Sequence, residues 1–258
     1  MLLLLLVACE TAPITGRRQI NFIGESQEMQ LGMSEFEKMK QSTPVNRDPA
    51  INEMVQRVGR KIAAAANEDI PNAEWEFVVF DSNEANAFCL PGGKVGVYKG
   101  ILPITKDEGG LATVIGHEVA HASARHGAER MSQALAAQTG GQLLGVALSS
   151  ADPRVQSLFQ LAYPIGAQVG VLLPYGRKQE SEADRIGLHY MSRAGYNPED
   201  AVAFWQRFAA YNQSKGRSGG PAFLRTHPVD EVRIRQIQEW LPEAKGEHRT
   251  DVISTPAR

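Results

Sequence analysis

His117-Glu118-Val119-Ala120-His121 sets two imidazoles one helical turn apart with a carboxylate between them. On a helix that advances about 100° per residue, positions four apart lie roughly 40° from one another, so both rings can reach one cation. Glu118 projects alongside, where it can take a proton from a water molecule. This is two thirds of a hydrolytic centre, because a zinc ion that does hydrolysis takes three protein ligands and keeps a fourth position open. A helix with two polar histidines is the alternative that this spacing alone leaves standing.

The motif needs a helix beneath it and a third ligand from elsewhere. Leu111, Val114, Ile115, Val119 and Ala122 recur at helical spacing, and Asp107 and Glu108 suit the positive end of a helix that starts there. A glycine at 124 and a histidine at 127 would complete one three-histidine pattern, but the chain has Ala124 and Gly127. His126 is one residue out of step and is expected as a polar residue near the helix end. The other source is an acidic residue on a second helix, and Glu180-Ser181-Glu182-Ala183-Asp184 offers one. Glu180 and Asp184 share a face, whereas Glu182 points about 200° away from Glu180 and is expected as a solvated charge. Glu180 as ligand with Asp184 orienting a histidine is chemically coherent, since a ligating imidazole gives its other N–H to a carboxylate. By spacing alone the pair is equally an ordinary charged helix face.

Three stretches, in order, resemble the zinc metallopeptidase family of the CAAX prenyl protease. They are Asn86-Ala87-Phe88-Cys89-Leu90-Pro91-Gly92-Gly93, the His117 motif and the Glu180 motif. The similarity is strongest to the soluble periplasmic lipoprotein branch of that family and spans roughly residues 20 to 240. It implies an α+β fold, mostly helical and of the gluzincin type, with a small mixed β-sheet flanking the active-site helix. It also implies Zn²⁺ held by His117, His121 and Glu180, with Glu118 as general base and Asp184 as a catalytic acid behind the ligands that is sometimes assigned as a proton donor. Arg225-Thr226-His227-Pro228 resembles a family motif whose histidine stands at the mouth of the site, which makes His227 a candidate either for stabilising negative charge or for blocking the metal. No helical repeat domain is expected after the catalytic region.

Composition agrees with one catalytic unit. With 43% hydrophobic residues the chain can bury one substantial core. Lys and Arg number 27 against 29 Asp and Glu, and no basic block stands out, so nucleic acid is not expected as a partner. No apolar run approaches the roughly 18 residues that a membrane span needs. Leu6-Val7-Ala8-Cys9, after a run of leucines, resembles the end of a bacterial lipoprotein signal, with Cys9 as the lipid-anchored residue. Cys89 is then the one remaining thiol, expected to pack rather than to ligate or react. The expected organisation is a signal remnant at 1–8, a lipidated linker at 9–24, a catalytic domain at 25–242 and a polar tail at 243–258. Helices are expected over Ser26–Lys40, Pro49–Asn67 and Glu199–Tyr211, and strands over Trp75–Phe80 and Val95–Tyr98. The family resemblance implies that the latter strand is the sheet edge that lines the cleft. The apolar, glycine-broken stretch from Gly140 to Pro174 is expected to supply buried helices and connections, and Lys215–Pro221 a loop. His189 and His248 are not expected to bind metal.

The expected activity is zinc-dependent endopeptidase action on unfolded or misassembled envelope proteins, in the periplasm at the outer membrane, alongside its assembly machinery. A periplasmic chaperone or assembly factor with a mainly structural metal is the alternative. Glu118 argues against it, as does the lack of a thiolate cluster of the kind that closes structural zinc sites.

Overall fold

Asp48-Pro49 opens the first long core helix. The Asp48 carboxylate accepts a hydrogen bond from the Ala50 N–H at 2.9 Å, and Pro49 fills the first helical position, where no N–H is needed. The computed structural model describes residues 8–149, 173–215, 223 and 226–247, with 153, 155–157, 160 and 162 between them. The expected leader residues 1–7, Val169–Leu172, most of the Lys215–Pro221 loop, Arg225 and His248 lie outside the described residues.

In chain order the elements are β1 (Ala8–Thr11), β2 (Arg18–Asn21), α1 (Glu25–Ser42), α2 (Pro49–Ala66), β3 (Glu76–Phe80), β4 (Ala87–Leu90) and β5 (Lys94–Tyr98). There follow a short helical turn α3 (Leu102–Thr105), α4 (Glu108–Ser123), α5 (His126–Ala147), α6 (Leu173–Arg193), α7 (Glu199–Lys215) and α8 (Glu231–Lys245). The fold is mostly helical with a small mixed sheet: β3 runs parallel to β5, and β4 antiparallel to it, in the order β3-β5-β4. Among the described residues no helix is long and apolar enough to cross a membrane.

α4 is the centre of the molecule. Asp107 caps it by accepting from Gly110 N–H at 2.9 Å, and every residue from Gly110 to His121 is buried. The apolar stripe foreseen for one face is therefore only part of the burial, because α2, β4, α6 and α7 surround the helix. Val55, Val58 and Ile62 of α2, Ile186 and Tyr190 of α6, and Phe204, Trp205 and Phe208 of α7 join Leu111, Val114 and Ile115 in one core. Apolar burial on this scale, at about 25 cal/mol per Å², is what holds a polar centre in place.

α4 and α6 approach backbone to backbone. A Cβ on Gly187 would lie 3.1 Å from His117 N, and one on Gly116 would lie 3.2 Å from Gly187 O. Facing glycines at the crossing bring the two backbones close enough for His117 and His121 of α4 to meet Glu180 of α6.

Three expectations change. β5 is the central strand, with all five residues buried, and β4 is the edge that packs on α4. Val95, Val97 and Tyr98 make Val95–Tyr98 read as a strand, but only the pairing on both sides makes it central. Within the described part of Gly140–Pro174, the end of α5 is not buried, since Leu143 is 68% and Val146 73% exposed. The stretch expected as a linker, 9–24, contains a β1–β2 hairpin pairing Cys9 with Ile20 and Thr11 with Arg18. Its turn reaches partners more than a hundred residues away in sequence, which local pattern cannot reveal.

Candidate metal centre

His117 and His121 point from α4 toward the same spot, with their Nε2 atoms 3.1 Å apart. Glu180, on α6, meets both: its Oε2 lies 3.3 Å from His117 Nε2 and its Oε1 3.2 Å from His121 Nε2. His227, which follows the buried Phe223, adds a fourth donor, with Nδ1 3.2 Å from His117 Nε2 and 2.9 Å from Glu180 Oε2. One donor atom from each of these four residues lies within 4.8 Å of all the others. Ligands at 2.0–2.1 Å from a tetrahedral ion stand roughly 3.3 Å from one another, so the donor set fits a zinc-sized cation. The chemistry of the set agrees, since imidazole nitrogens and a carboxylate oxygen are the donor types that zinc takes.

The electrostatics prepare these groups. Burial opposes ionisation of Glu180, but His121, His117 and His227 around it hold its pKa well below the usual carboxylate range. Burial drives the His121 pKa well below its ordinary value, the direction that favours the uncharged ring a metal ligand needs. His117 presents Nδ1 to Asp184 Oδ1 at 3.0 Å, which leaves Nε2 for the site. Burial works against an ionised Asp184 as well, yet Arg233 and His117 hold its pKa below the ordinary value. Asp184 is therefore a carboxylate that orients His117 and does not face the point where the donors meet.

Glu118 is 5% exposed, and its Oε1 makes no well-directed hydrogen bond; His227 Nε2 stands 3.3 Å away. Burial raises its pKa, the direction that suits a proton acceptor near neutral pH. Phe223, Trp205 and Phe208 form an aromatic floor under the site, with the Phe223 ring centroid 4.4 Å from that of His227 and Trp205 5.4 Å from that of His117.

All six residues named from the sequence are thus in one place: His117, Glu118, His121, Glu180 and His227 around the centre, and Asp184 one layer behind. Glu182 is not the solvated charge its direction suggested. It does point away from the donors, but it is 7% exposed and pairs with Arg17 and His126, because α5 and the N-terminal hairpin cover that side of α6. His126 is completely buried against His121. Arg233 of α8 carried no signal at all. Its Nη2 donates to Asp184 Oδ1 at 2.8 Å, its Nε also bonds Asp184, and its Nη1 lies 3.1 Å from Glu180 Oε2. The need of a buried carboxylate for a cation was the one available clue, and it does not say which arginine answers. His189 is buried on the far side of α6 near Glu247, as its angle from Glu180 implied. Burial and the nearby Glu118 push the Cys89 thiol well up, so it stays protonated and unreactive.

Residues 49–241 match the family described as Peptidase family M48. Over 245 residues the chain is 37% identical to a protein of Schizosaccharomyces pombe named "Mitochondrial metalloendopeptidase OMA1", covering 93% of this chain and 69% of that protein. Identity to the Saccharomyces cerevisiae protein of the same name is 32% over 252 residues, or 91% of this chain and 70% of that one. To the "Beta-barrel assembly-enhancing protease" of Yersinia pestis it is 31% over 244 residues, or 93% of this chain and 49% of that one.

Proposed function

The chain belongs to peptidase family M48 and is a metalloendopeptidase, and from that premise we propose that it is a zinc enzyme of the bacterial envelope in which His117, His121 and Glu180 hold the metal. The observation that carries the assignment is the convergence of three donors from two distant helices with Glu118 beside them. Zinc bound there would polarise the scissile carbonyl and lower the pKa of water toward neutrality. Glu118 takes a proton from the attacking water and returns it to the leaving amine. Asp184 and Arg233 keep His117 turned toward the site. The substrate is a polypeptide, and β4 is the edge it would meet. Tyr98 N–H donates to Asn86 O at 3.0 Å, so alternation along the ladder turns Phe88 and Leu90 toward β5 and leaves the Cys89 N–H and C=O facing outward. An extended, unfolded segment can add there through its backbone, with loose sequence preference.

His227 fills the position such a substrate needs. Its two ring nitrogens bridge Glu180 and Glu118, so in this conformation it stands between the metal donors and the base. Four closed donors would suit a purely structural ion, but such an ion has no use for a buried Glu118 carboxylate whose Oε1 lacks a hydrogen bond. His227→Ala is expected to keep one equivalent of zinc and to raise basal cleavage of an unfolded protein such as casein. Loss of the metal in that variant would point to the structural alternative, and loss of turnover with the metal retained would make His227 a stabiliser of negative charge.

The envelope location rests on Leu6-Val7-Ala8-Cys9 and on the name of the Yersinia pestis relative, whereas the two fungal relatives carry mitochondrial names. With Cys9 lipidated, the enzyme would sit at the outer membrane among unfolded or misassembled β-barrel proteins. Metabolic labelling with a palmitate analogue is expected to mark the wild type and not Cys9→Ser; equal labelling of both removes the anchor.

A further inference from the structure

His126 makes two contacts, and together they set the chemistry of a metal ligand. Its Nε2 lies 2.9 Å from Glu182 Oε2, and its Nδ1 lies 2.8 Å from His121 Nδ1. An ionised carboxylate only accepts, so His126 Nε2 carries a proton and donates it to Glu182. The other nitrogen of a neutral ring is then an acceptor, and the atom facing it, His121 Nδ1, must be the N–H donor. That leaves the His121 lone pair on Nε2, the atom turned toward His117 and Glu180. The carboxylate at the outer end of the chain thus selects the nitrogen that His121 presents at its inner end. A ligating histidine usually has its carboxylate directly behind it; here an imidazole is interposed.

Two features of the fold put His126 there. Arg125 adopts a left-handed conformation, φ 52°, which ends α4 and turns the chain so that the next residue comes back onto His121. Arg125 is tied in that conformation by Glu28 at 2.8 Å, by the Ile23 carbonyl at 2.8 Å and by Glu10. Glu182 is held from the other side by the turn of the N-terminal hairpin. Arg17 Nε donates to Glu182 Oε2 at 2.6 Å, the Thr15 hydroxyl donates to Oε1, and the same guanidinium reaches both Glu129 oxygens at 2.7 and 2.9 Å.

We propose that His126 is a positioning residue for the metal ligand His121 and that the N-terminal hairpin, through Arg17 and Thr15 on Glu182, holds this relay in register. The metal site is then complete only with the hairpin docked. This rests on the assignment of His117, His121 and Glu180 as the metal ligands.

The test is zinc affinity of the full chain, measured by competition with a chromogenic chelator, alongside the unfolding midpoint of the metal-free protein. His126→Ala is expected to weaken zinc binding about 10–100-fold. Glu182→Gln and Arg17→Gln leave every ligand in place and keep His126, so they test the relay even if His126→Ala does not fold. Both are expected to weaken zinc binding severalfold, and Arg17→Gln is expected to add nothing further in the His126→Ala background. In ¹⁵N spectra of the loaded protein, Glu182→Gln is expected to shift the His121 ring resonances. A merely structural role would lower the unfolding midpoints and leave zinc affinity within twofold of wild type in all three variants, which overturns the proposal. A full additional loss from Arg17→Gln in the double variant removes the hairpin from the relay. A wild type that takes up no stoichiometric zinc overturns the ligand assignment itself, and this inference with it.

Discussion

Glu118→Gln is expected to lower the turnover of an unfolded protein substrate by on the order of 10²–10⁴ while leaving one equivalent of metal bound. The amide has nearly the shape of the carboxylate but cannot take the proton that water must lose. None of the metal donors is touched, and Glu118 contributes no well-directed hydrogen bond through Oε1 that the change would break. Burial disfavours the charged form of Glu118, so removing the charge is expected to leave the unfolding midpoint unchanged or raised near neutral pH. The combination of lost turnover, retained metal and retained stability separates a missing base from a damaged site. Zinc-loaded Glu118→Gln that cleaves casein at the wild-type rate would remove Glu118 from the chemistry.

Arg233→Ala is expected to destabilise the fold by about 3–5 kcal/mol, the cost of stranding a buried charge by deleting its partner. Arg233 is 5% exposed, and its guanidinium serves Asp184, Glu180 and the Pro228 carbonyl at 3.0 Å while lying 4.0 Å from the centre of the Trp205 ring. Without it, among the described residues, Asp184 keeps only His117 as an ionic partner and Glu180 loses its one non-histidine cation. Arg233→Lys retains a charge but cannot bond Asp184 through two nitrogens at once, so an intermediate loss is expected. Denaturant unfolding of metal-loaded protein is the measurement. A loss below about 1 kcal/mol for Arg233→Ala would mean that water or a shifted side chain replaces the guanidinium, and that Asp184 does not depend on it.

The chemistry and the helices that carry it were legible because both are local. His117, Glu118 and His121 declare themselves by a spacing that only a helix makes useful, and helical periodicity around them is strong enough to read without a partner. Glu180 and Asp184 share a face by the same arithmetic, but the choice of Glu180 over an ordinary charged surface came from resemblance and not from angle. The strands at Glu76–Phe80 and Lys94–Tyr98 were visible as β-branched and aromatic runs, whereas β4 was hidden in a motif read for its family likeness.

What local pattern could not carry is which charges end up buried together. Glu182 was placed correctly on the back of its helix and wrongly in water, because the elements that cover that back are α5 and a hairpin over 160 residues earlier in the chain. His126 is one residue out of step with the three-histidine pattern, yet a left-handed residue folds it back onto His121. Arg233 is one of 27 basic residues, and nothing in its neighbours marks it as the one that neutralises the site. Spacing along one helix is set by backbone geometry alone and survives in the sequence. The partner of a buried charge is set by desolvation in the assembled core, where the penalty for leaving it unpaired arises only once every covering element has arrived.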